Sequence, residues 1–178
     1  INNDDAALFG CAVTTAFGVI ENNARLKMGE SVLICGAGGI GLNIIQAASL
    51  ISAWPIIAID IFDNRLELAK KFGATHTINS KTQDLEFKLH NIIKKNSLDV
   101  FIDNTGIPSI IELGYKVTNS KGRVILVGVP QKDSNIKIYS LPLHFGKIIL
   151  GSHGGECIPE LDIPRYMSLL INKKISFK

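Results

Sequence analysis

The chain has little of what would remove it from the ordinary globular class. Only three cysteines, Cys11, Cys35 and Cys157, occur in 178 residues. They are too few and too scattered for a disulfide framework, so a reducing compartment, the cytoplasm, is expected. Charge is sparse at 20% of residues and of mixed sign, with a formal net charge of +3. The pairs Lys70-Lys71, Lys94-Lys95 and Lys173-Lys174 stand apart instead of forming a block. Isolated pairs read as solvated helix faces, and no nucleic-acid partner is expected. No uninterrupted apolar run nears the roughly 20 residues of a membrane span. No basic leader with an apolar core and a small-residue cleavage site opens the sequence, so neither a membrane partner nor a signal peptide is expected. Internal repeats, low-complexity tracts and linker-like boundaries are also missing, which favours one domain over residues 1–178.

What the sequence does contain is a regular alternation. Hydrophobic residues make up 46%, concentrated in apolar runs separated by segments of helical period. That is the pattern of a parallel sheet with crossover helices. Strands are expected over 31–35, 55–60, 75–78, 98–103, 122–127 and 147–151. Helices are expected over 39–52, 63–72, 84–95, 108–117 and 159–172, with a largely helical segment over 4–23 that Gly10 and Gly18 interrupt. Asp63 is placed to cap the helix that ends at Gly73. The expected fold is α/β: a Rossmann, doubly wound six-stranded parallel sheet with helices on both faces.

The segment Gly36-Ala37-Gly38-Gly39-Ile40-Gly41 joins the first strand to the first crossover helix. A glycine triplet alone is weak evidence, but this context gives it a mechanism. Gly36 permits a tight turn, Gly38 lets the backbone approach a pyrophosphate, and Gly41 lets helix and sheet pack closely. Amides at the helix start, at Gly39 and Ile40, face the anion with the helix dipole behind them. Asp60 ends the second strand about 20 residues further on, where a carboxylate accepts hydrogen bonds from both adenosine ribose hydroxyls. The same charge repels a 2'-phosphate, so NAD is expected over NADP. Arg65 stands close by, at the ribose edge, and is the one residue that offers an NADP alternative.

Several further segments carry a family resemblance. They are Gly10-Cys11-Ala12-Val13-Thr14-Thr15-Ala16-Phe17-Gly18 and Gly29 to Gly36, then Ala69 to Thr75, Val127-Gly128-Val129-Pro130 and Gly154-Gly155. Together, in this order and over nearly the whole chain, they resemble the cofactor-binding domain of the zinc-containing medium-chain alcohol dehydrogenases. The resemblance implies that Cys11 is a ligand of the catalytic zinc and that Thr15, in the catalytic set, lies against the nicotinamide ring. It implies that Thr105 and Gly106 line the nicotinamide half, and that Val127, Gly151 and His153 meet the carboxamide mainly through their backbones. His153 departs from the apolar or aromatic side chain common at its position. His76, His90 and His144 lack ligand-like spacing and are expected at the surface. Cys35 and Cys157 are expected to be structural, and Asp103 to form a turn.

The chain opens on Ile1 without methionine and stops just past a helical pattern. It is therefore expected to be a fragment of a larger chain whose N-terminal catalytic domain is absent. Zinc is expected in the full-length enzyme only, because its other ligands belong to that domain in the family. The implied activity is hydride transfer between a small-molecule alcohol or carbonyl substrate and NAD, with the isolated fragment inactive. A homodimer through the open edge of the sixth strand is also implied. A zinc-independent medium-chain reductase, a non-catalytic NAD-sensing module and a methyltransferase are the alternatives. The last fits the glycine spacing and the Val-Gly-Val-Pro segment poorly.

Overall fold

The computed structural model describes residues 3–93 and 98–177. Its order is α1 (Asn3–Leu8), α2 (Ala12–Gly18), β1 (Val32–Cys35), α3 (Gly39–Leu50), β2 (Ile56–Asp60), α4 (Asp63–Lys71) and β3 (His76–Asn79). There follow α5 (Leu85–Ile92), β4 (Leu98–Asp103), α6 (Pro108–Val117), β5 (Thr118–Leu126), β6 (Ile148–Gly151) and α7 (Pro159–Ile171). The strands form one sheet in the order β3-β2-β1-β4-β5-β6, and every neighbouring pair is parallel. The expected doubly wound fold is the one observed. The end of the helix expected over 84–95, with Lys94-Lys95, lies outside the described residues, as do Ile1 and Asn2. No helix among the described residues is long and apolar enough to cross a membrane.

Strand side chains alternate between faces, and here both faces are buried. Val32, Ile34, Ala58, Val100, Ile102 and Ile125 join a core with Ile44, Ile45 and Ala48 of α3 and Tyr166 of α7. Their neighbours Leu33, Ile57, Ile59, Phe101 and Val124 join a second core with Leu89 of α5 and Tyr115 of α6. This two-sided burial is why the strands read as continuous apolar runs. Gly114 brings α6 down onto Phe101, whose ring a side chain at that position would overlap.

Four local expectations change. Gly18 does not interrupt its helix: it is right-handed, and the chain continues through a π-helical turn over Val19–Asn23. Phe62 takes the N-cap position of α4 without a side-chain cap, and Asp63, in the first turn, accepts the Asn79 side-chain amide at 2.6 Å. β5 starts four residues early at Thr118, with a register shift between Leu98 and Val100 of β4. Lys147 is outside β6 and only 7% exposed. Its ammonium donates to the carbonyls of Tyr115 and Thr118 at the end of α6 and lies 4.2 Å from the Tyr115 ring centroid. A cation there complements the negative end of the helix dipole.

Candidate functional site: a cleft at the head of the sheet

The sheet reverses its winding between β1 and β4, and crevices at such switch points open outside the carboxyl ends of the strands. A cleft of about 600 Å³ lies there. It gathers Gly36, Gly38, Gly39, Ile40, Gly41, Asp60, Arg65, Thr105 and Val127, nine of the residues singled out from the sequence. Cys11, Thr15, Gly106, Gly151 and His153 are not in its wall.

Within the glycine loop, Gly36 and Gly41 have the structural roles expected of them. Gly36 sits at a φ of +90°, which a side chain would strain. A Cβ on Gly41 would overlap the Gly36 carbonyl oxygen, so that position fixes the crossing of loop and helix. Gly38 and Gly39 differ: a Cβ at either would meet nothing within 4 Å and would project into open space. That space lies at the start of the 12-residue helix α3, whose first amides lack intrahelical partners, a geometry that suits an anion.

Asp60 does more than end a strand. One carboxylate oxygen accepts the Ala37 amide at 2.8 Å; the other accepts the amides of Ile61 and Phe62 at 2.8 and 3.0 Å. A carboxylate offers about four lone-pair sites, so three amides leave capacity for a hydroxyl donor. The Arg65 guanidinium lies 3.6 Å from Asp60 and 4.8 Å from the Phe62 ring centroid.

The opposite wall is held by Asp103, which is fully buried. It accepts the amides of Thr105 and Gly106 and the Thr105 hydroxyl, at 3.0, 2.8 and 2.6 Å. That is the turn-forming role expected of it. The Asn104 side chain donates to the carbonyls of Cys35 and Gly36 at 3.3 and 3.4 Å. Phe62, Ser80, Asn104, Ile107, Ile110 and Val129 also line the cleft and were not found from the sequence. They follow the strand ends by a few residues, which was the one available signal. Cys35 is buried beside this floor; burial first, then the charges of Asp103 and Asp60, push its thiol far up. It is an inert structural cysteine, as expected.

Outside the cleft wall, Cys11 is exposed at the N-cap of α2. Its carbonyl accepts the Thr15 amide at 3.0 Å and the Thr14 hydroxyl at 3.1 Å. An exposed thiol is the right donor for a zinc ion but supplies one ligand of the three a catalytic site needs. Among the described residues, no group of three or more His, Cys, Asp or Glu side chains could hold a metal ion. Cys157 is half-buried, and its thiol donates to the Thr14 carbonyl at 2.9 Å. His90 and His144 are exposed, whereas His76 is half-buried with its ring edge-on to Trp54.

The chain is similar to alcohol dehydrogenase-like 5 of Arabidopsis thaliana, 31% identical over 97% of this chain and 45% of that protein. It is 29% identical to the S-(hydroxymethyl)glutathione dehydrogenase of Paracoccus denitrificans, over 97% of this chain and 48% of that protein. The crystal structure of the benzyl alcohol dehydrogenase of Acinetobacter calcoaceticus superposes with a TM-score of 0.92 at 34% identity, over 99% of this chain and 49% of that one. The chain thus spans about half the length of the relatives it matches. The description of the zinc-binding dehydrogenase family matches residues 39–172, from the glycine loop to the end of α7, and this chain belongs to that family.

Proposed function

We propose that this chain is the NAD-holding part of an alcohol dehydrogenase, and that the remaining zinc ligands and most of the substrate pocket come from a separate catalytic domain. The observation that carries the reading is the Asp60 carboxylate. It is tied by Ala37 to the glycine loop and stands at the same cleft as the open cradle of Gly38 and Gly39. The pyrophosphate rests on the first amides of α3. The remaining acceptor capacity of Asp60, with Arg65 beside it, holds the adenosine ribose. Against that carboxylate a 2'-phosphate is repelled.

The nicotinamide half extends toward β4 and β6, past Thr105 and Gly106, with Thr15 behind the ring and Val127, Gly151 and His153 at the carboxamide. A zinc ion held in part by Cys11 would polarise a substrate oxygen when bound, and the dinucleotide would exchange hydride. What this chain's own residues do is orient: they fix loop, strand ends and turn so that the cofactor meets the substrate in one geometry. Three free cysteines suit a reducing compartment such as the cytoplasm. The outer edge of β6, with Ile148 exposed, suits pairing with a second copy.

Calorimetric titration of the chain with NADH and NADPH tests the reading. NADH is expected to bind at least about tenfold more tightly, with no alcohol turnover by the chain alone. Binding of neither would overturn the cofactor assignment, and preference for NADPH would overturn the role of Asp60. Sedimentation of the full-length protein above micromolar concentration checks the dimer.

A further inference from the structure

The two walls assigned above to the nicotinamide, the helix carrying Thr15 and the exit of β6, belong to distant parts of the sequence. They are nevertheless in direct contact. Gly18 of α2 and Gly155 meet backbone to backbone: a Cβ on Gly155 would sit 2.6 Å from the Thr15 carbonyl oxygen, and one on Gly18 would overlap the Gly155 carbonyl. Around this contact runs a ring of polar bonds. The Asn22 side-chain amide donates to the carbonyls of Gly155 and Glu156 at 2.9 and 3.2 Å. One oxygen of Glu156 accepts the His153 amide at 3.0 Å, and the other accepts the Asn23 side-chain amide.

The turn itself needs this support. Gly154, Gly155 and Glu156 follow one another in the left-handed region, at φ of +61°, +71° and +48°. Glycine adopts that conformation freely, whereas glutamate does so at a cost. A strained residue persists where its surroundings over-determine it, and such residues cluster at functional sites. Glu156 fits that description: its carboxylate bridges the His153 backbone on one side and Asn23 on the other. The Glu156 amide in turn donates to the His153 carbonyl at 3.1 Å, closing the turn on itself.

We propose that Asn22 and Glu156 are positioning residues for the nicotinamide half of the bound dinucleotide, locking the turn after β6 onto the helix that carries Thr15. The proposal rests on the NAD reading above. Neither residue touches the cofactor; they make two walls of its nicotinamide site one body. Removing the lock leaves the pyrophosphate cradle and the Asp60 corner untouched, because those lie on β1, β2 and α3.

This asymmetry gives the test. The chain and its variants are titrated with NADH and with ADP-ribose, which lacks the nicotinamide. Glu156→Ala and Asn22→Ala are expected to weaken NADH about tenfold and to leave ADP-ribose unchanged within about twofold. Glu156→Gln keeps an acceptor for the His153 amide and is expected to recover most of the NADH affinity. Should Asn22→Ala fold poorly, Asn23→Ala removes only the outer bond to Glu156 and is expected to show a smaller, equally selective loss. Equal loss of both ligands would make the cluster a general fold support and overturn the proposal, as would unchanged NADH affinity in Glu156→Ala. Wild-type chain that binds neither ligand would instead sink the NAD reading itself, and the proposal with it.

Discussion

The Asp60 carboxylate reaches back across the sheet to the Ala37 amide, 2.8 Å away, so the end of β2 holds the loop that leaves β1. One side chain therefore has two tasks, shaping the glycine loop and presenting charge to the cleft. Asp60→Ala removes both. It leaves the amides of Ala37, Ile61 and Phe62 without their acceptor, and the cost of such losses is about 1–3 kcal/mol. Urea unfolding should register that loss, and NADH affinity should fall by more than about tenfold. Asp60→Asn retains one oxygen and should be intermediate in both measurements. A variant with full stability and full affinity would separate Asp60 from the site.

Gly38 and Gly41 are three residues apart in one motif, yet they should fail in opposite ways. A methyl group at Gly41 overlaps the Gly36 carbonyl, so the backbone itself must shift. Gly41→Ala should lower the thermal midpoint by several degrees, overpacking costs being about 1–3 kcal/mol. A methyl group at Gly38 meets nothing of the protein within 4 Å. Gly38→Ala should keep its thermal midpoint and lose NADH affinity, because the methyl enters the space assigned to the pyrophosphate. Thermal unfolding and calorimetry on the two variants give a crossed result. If Gly38→Ala binds as wild type does, the cradle is elsewhere.

Local signals carried most of the sheet and one half of the cleft. The strand runs of β1, β2 and β4 are apolar on both faces, and the loop glycines lie next to them in sequence, so period and spacing suffice. Asp60 was legible for the same reason. The early start of β5 was not, because Thr118 to Lys121 are all polar and only Thr118 of the four has a register partner in β4, Leu98. Gly18 was misread as an interruption because the partner that requires its missing side chain, Gly155, is 137 positions away. The Asn22, Asn23 and Glu156 cluster was invisible for that reason too: each is an ordinary polar residue until the fold brings α2 and the β6 exit together. Phe62, Ser80 and Asn104 line the cleft only because parallel strands end at one level.

Lys147 gives the fold a measurable pH signature. Its ammonium is buried at the end of α6, and burial lowers its pKa from the ordinary lysine value of 10.5. The sign follows from proton counts. Between the lowered folded value and 10.5 the unfolded chain holds more protons than the folded chain at this position, so stability rises with pH. Below that window the charged form is fully present in both states and the desolvation cost is fully felt, offset by the carbonyls of Tyr115 and Thr118. Lys147→Met keeps the length of the side chain and removes the titration. The difference in unfolding free energy, wild type minus Lys147→Met, should therefore increase as pH climbs toward 10.5. Urea unfolding of both proteins at pH 7 and at pH 10 measures it, and other titrating groups cancel in the difference. A difference that is flat or that shrinks over this range would mean that Lys147 is not desolvated, and that the end of α6 is open to water.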